Sequence, residues 1–333
     1  MTTKGINFGK VTTKSIHRGP PVKIHQLEAF IAAVETGSIR AAARRMALSQ
    51  SALTKALREL ELDLDAALIH RSVRGIRLTP DGARLLARAE LILKQASLAR
   101  TEIRQAQGAD EGSVAVGITP LVALTVLPHA VAAFRRTYKN VKLHVVEGLE
   151  GIAMPGVRKG SLDFGVMIIA GQNVGEDLTF ERWFRGANAV GLRVAHPCAG
   201  ARKLEELLDQ EWLATSFGTH GLGTRLLGYF TEAGLAAPER LMRCESALSA
   251  LSIVRNSDVI TFLPTGLLDC PETAGIRAAD LAEKPPSSDI GLITRVDVPL
   301  TPVAKAFAEA LKHQVYRWCG YPAGRKGCEQ RYL

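Results

Sequence analysis

Ser51, Thr54, Lys55 and Arg58, with Gln50 just ahead of them, make up the chemically richest short stretch of the chain. At about 100° per residue the last four fall on one side of a helix, and Leu53, Leu57, Leu60 and Leu64 fall on the other. Hydroxyls, an ammonium and a guanidinium on one face suit the base edges and phosphates of a DNA major groove. The Gln50 amide is able to pair bidentately with adenine. Ser49 supplies the helix N-cap beside them. Further on, Arg71, Arg74 and Arg77 recur every third residue between two β-prone pieces, the composition of a basic hairpin lying along phosphates or in a minor groove. A polar helix face is by default only solvated, so the surrounding elements decide the reading.

Those elements are legible. Leu27, Phe30, Ile31 and Val34 mark one face of a helix that starts near Lys23. Gly37 then gives a C-cap and Ser38 an N-cap for a short alanine-rich helix over 39–46, where Ala41, Ala42 and Ala43 permit close helix approach. A turn at Ala47-Leu48 leads into the helix of the polar stripe, which runs to about Leu64. A short helix, a tight turn and a polar-faced second helix form a helix-turn-helix, with residues 50–58 as its reading segment. The basic hairpin over 68–79 makes it winged. Thr79 and Pro80 open another helix as N-cap and first residue, and it continues to about Gln107. Leu85, Ala89, Ile92, Ala96, Ala99 and Ile103 lie along it at spacings of 4, 3, 4, 3 and 4, a heptad seam expected to pair two copies of the chain.

Charge supports the same division. The 333-residue chain has a formal net charge of +9. Residues 1–22 hold four Lys/Arg and no acids, residues 23–108 hold 14 against nine, and residues 109–333 hold 24 of each. All the excess positive charge sits in the first third, as expected for a nucleic-acid-binding head on a neutral body. Apolar residues at 47% and charged residues at 23% are ordinary for a globular protein. The five cysteines are scattered, odd in number and never in a C-x-x-C pair, which predicts reduced thiols and no zinc finger.

From Gly112 onward, strand-like runs over 114–118, 141–146, 164–169, 189–194, 259–263 and 290–293 alternate with helical segments over 121–136, 223–233, 246–255 and 303–316. This predicts an α/β body with largely parallel sheets, long enough for two subdomains. Catalytic signatures are absent: there is no G-x-x-x-x-G-K-[ST] loop and no G-x-S-x-G elbow, and residues 218–223 have their glycines in the wrong order for a dinucleotide loop. His196-Pro197-Cys198 is too short for a metal site. No catalytic residue, metal or cofactor is expected.

Residues 24–85 resemble the winged helix-turn-helix of LysR-type transcriptional regulators. The likeness rests on Leu27-Glu28-Ala29-Phe30, Gly37-Ser38, Ala41-Ala42-Ala43, Leu48-Ser49-Gln50-Ser51-Ala52-Leu53-Thr54, Leu60-Glu61, Arg74-Gly75 and Leu78-Thr79-Pro80-Asp81-Gly82. Ser51 stands where the family usually has proline. Asp65 replaces a usual glycine and is expected in the left-handed conformation. His70 departs from the pattern before the wing and reads as packed or solvated. Residues 1–22 precede the family's usual start and read as a flexible extension, with Val22-Lys23-Ile24 similar to the opening of many members. Residues 321–333 read as a tail.

Residues 112–320 resemble the family's effector-binding domain through Gly117-Ile118-Thr119-Pro120, Gly160-Ser161-Leu162-Asp163-Phe164 and Ser257-Asp258 with Phe262-Leu263-Pro264. That resemblance implies two Rossmann-like subdomains of the type-II periplasmic-binding-protein kind, 112–185 with 289–320 and 186–288, and hinges near 184–188 and 285–289. At Cys244-Glu245-Ser246 the body is most similar to members that regulate toluenesulfonate degradation. In this fold a small anion sits between the subdomains, at strand C-termini and helix N-termini. The positions that match are Thr119 and Pro120, Glu147 and Gly148, Ile169, the loop Ser216-Phe217-Gly218-Thr219, and Phe262 and Leu263. Thr119 reads equally as a simple helix cap, and Phe262 as core.

The expectation is a cytoplasmic, ligand-responsive transcription regulator. It would bind operator DNA and a small organic acid, often aromatic, as a dimer through the long helix and, by the resemblance, a tetramer. The competing readings are an α/β enzyme carrying a DNA-binding head and a transport-type solute-binding protein. The basic head opposes the second.

Overall fold

The computed structural model of the chain describes residues 22–72, 75–106, 112–148, 150–169, 174–215 and 221–319. The chain divides into two compact units between Ser97 and Leu98.

The first unit opens with α1 (Ile24–Thr36), α2 (Ile39–Arg45) and α3 (Gln50–Asp63). Gly37 ends α1 in the left-handed conformation, φ 64°. Ser38 caps α2 by accepting the Ala41 N–H, and Ser49 caps α3 by accepting the Ala52 N–H at 3.1 Å. Leu27, Phe30, Ala33, Ala42, Leu53, Leu57 and Leu60 are buried together as the core of the three helices. Ile31 and Val34 pack only at its margin, and Gln26 and Ala29 take the fully covered positions of α1. Leu64, expected in the core, is 38% exposed, because α3 stops at Asp63 and the leucine stripe outruns the helix. Asp65 is left-handed at φ 49°, and so is Ala47 at φ 53°, the residue that turns the chain from α2 to α3. Strands β1 (Ile69–Ser72) and β2 (Gly75–Leu78) pair antiparallel as the wing.

Helix α4 (Pro80–Ala106) follows, and its seam does not act as one stripe. Leu85 packs on the three-helix core and Ala89 is fully buried in it, while Ile92, Ala99 and Ile103 are exposed.

The second unit holds two five-stranded sheets. The first has the order β4 (Lys142–Glu147), β3 (Ser113–Ile118), β5 (Phe164–Ile169), β12 (Ser288–Arg295), β6 (Leu178–Gly186). The second runs β11 (Ile276–Ala278), β7 (Asn188–Arg193), β10 (Ile260–Pro264), β8 (Trp212–Ala214), β9 (Leu241–Arg243). The sheets are mixed rather than largely parallel. β3 pairs parallel with β4 and β5, and β8 with β9 and β10, but β12 is antiparallel to both its neighbours and β7 to both of its own. The antiparallel strands belong to the two crossings: β6 leads directly into β7 of the other sheet, and β12 brings the chain back. The crossings are tied side by side, since the Asn188 amide donates to the Pro286 carbonyl at 2.6 Å and to Ser288 Oγ at 2.8 Å. Arg185 clamps the buried Asp289 carboxylate bidentately at 2.8 and 3.2 Å, a geometry matched to the guanidinium fork.

The helix expected over 121–136 is two, α5 (Pro120–Thr125) and α6 (Leu127–Thr137), joined at Val126. Pro128 has no N–H to continue the ladder, and its ring would meet the Leu124 carbonyl in an unbroken helix. Helices α7 (Glu150–Arg158), α8 (Leu222–Glu232), α9 (Ala247–Asn256) and α10 (Pro302–Trp318) complete the layers. Phe134, Phe164 and Phe307 anchor the larger core, with Phe134 and Phe307 edge to face at 4.9 Å. Trp212, Tyr229 and Phe230 anchor the core beneath the second sheet.

Candidate functional site

On the head, α3 presents Gln50, Ser51, Lys55 and Arg58 to solvent, with Thr54 half-buried among them. Its opposite face is fully committed to the core through Leu53, Leu57 and Leu60. Ser49 is exposed, but its hydroxyl is occupied: it caps α3 and lies 3.0 Å from Ser51 Oγ. Lys55 sits 3.8 Å from Glu59 and stays largely exposed, an arrangement too loose to remove its charge from a nearby phosphate. On the wing the Arg71 backbone is opposite Ile76, and Arg77 is exposed and opposite His70, itself exposed. The Arg71 side chain and the whole of Arg74 lie outside the described residues. Helix α2 adds exposed Arg40 and Arg44, which are absent from the sequence-derived set because only the alanines of that helix carried its reading. The result is a basic surface in which α3 carries exposed side chains suited to a groove.

In the body, a cleft lies between the two sheets, with about 640 Å³ of empty space including its open mouth. Its walls are mostly apolar: Leu121, Ile168, Leu222, Leu251, Phe262 and Leu263. Thr119, Pro120, Phe262 and Leu263 of the sequence-derived set line it. Thr119 is 4% exposed and stands before α5 with no side-chain capping bond, and its Oγ1 is buried without a hydrogen-bond partner. Its backbone N–H is spent on the Val166 carbonyl. The hydroxyl therefore does not cap its helix.

Other residues of that set lie elsewhere. Ile169 is buried, but in the separate core it shares with Met154, Val157 and Met167, and its neighbour Ile168 lines the cleft instead. Side chains alternate along a strand, so the strand was placed correctly and the facing residue missed by one. Glu147 is exposed at the end of β4, and Gly148 is occupied with Ile118 and Ile152; neither lines the cleft. Ser216, Phe217, Gly218 and Thr219 fall outside the described residues. Three polar lining residues had not been singled out: Thr215 just before that loop, Glu150 at the start of α7, and Thr261 on β10, whose hydroxyl donates to the Leu213 carbonyl. Helix α7 had escaped the sequence reading because Gly151, Pro155 and Gly156 disguise its periodicity.

The family model of the LysR substrate binding domain matches residues 107–315, more than half of the chain. That of the bacterial regulatory helix-turn-helix protein, lysR family, matches residues 24–83. The chain belongs to the LysR family. It is a DNA-binding transcription regulator with an effector-binding body, and its relatives are regulators rather than enzymes. The HTH-type transcriptional regulator TdcA of Escherichia coli strain K12 is 25% identical over 242 residues, covering 73% of this chain and 77% of TdcA. The fold resembles full-length CbnR complexed with its target DNA, with a TM-score of 0.64 at 22% identity over 88% of this chain and 99% of that one. It also resembles full-length OxyR from Pseudomonas aeruginosa, with a TM-score of 0.62 at 22% identity over 88% and 94%. Helix α3 lies within the match to the lysR-family helix-turn-helix, and the cleft within the match to the LysR substrate binding domain.

Proposed function

We propose that this LysR regulator reads its operator through Gln50, Ser51, Thr54, Lys55 and Arg58 and is controlled by a small organic acid, often aromatic, held in the cleft against Thr119. The observation that carries the ligand site is the Thr119 hydroxyl, buried without a partner on a mostly apolar cleft wall. A buried hydroxyl left unpaired is disfavoured, and a ligand polar group there relieves the penalty. Leu121, Ile168, Leu251 and Phe262 suit a flat ring. Gly221 and Leu222 line the cleft at the start of α8, where the helix dipole favours the anionic end of a ligand. Ser246, from the stretch that suggested toluenesulfonate, caps α9 by accepting the Ser249 N–H; aromatic sulfonates stand beside carboxylates as candidate effectors through that resemblance.

The regulator works in the cytoplasm, beside the DNA it controls. It assembles as a dimer through the exposed positions of α4, Ile92, Ala99 and Ile103, and dimers pair further into a tetramer. No helix among the described residues is long and apolar enough to cross a membrane.

Calorimetry against aromatic carboxylates and sulfonates tests the cleft, with wild type beside Thr119→Val. Valine keeps the branched shape and removes the hydroxyl, so affinity should fall by about 1 kcal/mol. A ligand indifferent to this change does not touch Thr119.

A further inference from the structure

Glu61 stands about one turn beyond Arg58 on α3, the helix that also carries the reading residues. One oxygen of its carboxylate, Oε1, accepts the backbone N–H of Leu68 at 2.9 Å and that of Ile69 at 3.3 Å. Leu68 leads into β1 and Ile69 opens it, and both residues are buried. Without Glu61 their N–H groups would be left unpaired, and the strand would have to shift to find water. The second strand is held from another side: the Ile76 N–H donates to the Gly37 carbonyl at 3.0 Å, at the corner between α1 and α2. Both strands of the wing are thus fastened to the helices, and Glu61 is the tie to α3.

The register of the wing decides which side chains that fastening aims. Ile69 and Ile76 pack toward the head's core, while His70 and Arg77 are exposed and directly opposite each other. Residues directly paired in an antiparallel ladder share one face. Neither strand contains an acid, so this outer face is basic and suited to a phosphate. We infer that Glu61 is a positioning residue for DNA recognition: it holds the wing against α3 so that Arg77 meets the duplex backbone in step with the bases that α3 meets. This rests on the head reading DNA through α3 and adds what keeps the second contact in place. The expected sign separates the role from a plain charge effect. A negative charge on a DNA-binding head repels phosphates, so its removal alone would tighten binding to any duplex. Loss of a positioning group weakens binding instead.

The test is binding of the full chain to a duplex selected from random sequence, measured across salt concentrations. The proteins compared are wild type, Glu61→Ala, Glu61→Asp and Glu61→Gln, with Arg77→Ala alone and added to the first two Glu61 variants. In the wild type, Arg77→Ala should flatten the salt slope by about one unit. Glu61→Ala should weaken binding severalfold and flatten the slope by the same step. Glu61→Asp keeps the charge but is one methylene short of the two amides, and should do likewise. Glu61→Gln removes the charge but keeps an Oε1 that accepts both N–H groups, so it should bind as tightly as wild type or slightly tighter. Adding Arg77→Ala to Glu61→Ala or Glu61→Asp should change the slope no further, because the contact is already lost. Urea unfolding verifies that each variant is folded, and the Asp and Gln pair carries the comparison if the Ala variant is not. Gln50→Ala, run alongside, scores the reading by α3 at its own base pair. Tighter binding by Glu61→Ala overturns the positioning role. So does a Glu61→Gln protein as weak as Glu61→Asp, or an Arg77→Ala step that is undiminished in Glu61→Asp. An Arg77→Ala slope equal to that of wild type takes the wing off the backbone and overturns it as well.

Discussion

Gly82 has no room for a methyl group. A Cβ built there would lie 2.0 Å from the Leu68 carbonyl oxygen, which already accepts the Thr79 N–H at 3.0 Å. The same corner is drawn tight by Thr79, whose hydroxyl donates to the Ala67 carbonyl and accepts the Gly82 N–H at 2.9 Å. Gly82→Ala should therefore loosen the joint between the wing and α4 and cost the head about 1–3 kcal/mol, read as an earlier urea transition in that unit. An unchanged midpoint would show that the joint has slack. The sequence displayed this corner as Leu78-Thr79-Pro80-Asp81-Gly82, and capping chemistry made it readable. The cleft was less readable for the same kind of reason in reverse. Ile168 and Ile169 are chemically alike, so only the strand's phase decides which one meets a ligand, and phase depends on pairing partners far along the chain. Glu150 gave no signal at all, because an acid opening a helix is ordinary until the opposite wall of a cleft closes on it.

At the scale of elements, periodicity was a sound guide where one face is buried and the other wet, as in α3. It misled where proline interrupts a continuous apolar pattern, as between α5 and α6, and where one stripe serves two purposes. The seam of α4 is the clearest case. Its N-terminal positions, Leu85 and Ala89, are used within the head, while Ile92 at 46% and Ile103 at 61% exposure are left uncovered. Exposed isoleucines at heptad spacing on a long helix are the positions through which the proposed dimer would pair. Ile92→Glu should place a charge in that surface and shift the protein toward monomer, since an unpaired charge is disfavoured in a dry interface. Sedimentation at micromolar concentration reads the result, and an unaltered dimer fraction would put the contact elsewhere. The parallel character of the sheets was overestimated because run composition reports burial, not strand direction. Direction is fixed by the two crossings at Gly186–Asn188 and before Ser288, where Asn188 and Arg185 fasten one crossing strand to the other.

For the molecule as a whole, the uneven charge was the most economical clue: a basic first third and a neutral remainder matched a reading head and a ligand-binding body. Sequence-specific control by the head requires α3 to read bases rather than merely adhere to phosphates. The most direct measurement is the affinity of the full chain for a duplex selected from random sequence, compared with duplexes carrying single base-pair changes, for wild type and Gln50→Ala at one fixed salt concentration. Wild type should lose about 1–3 kcal/mol at the adenine that Gln50 contacts, and Gln50→Ala should lose that discrimination while retaining its salt-dependent attraction to any duplex. A Gln50→Ala protein with unchanged affinity and the same base preference would contradict the account and move sequence reading off this face of α3.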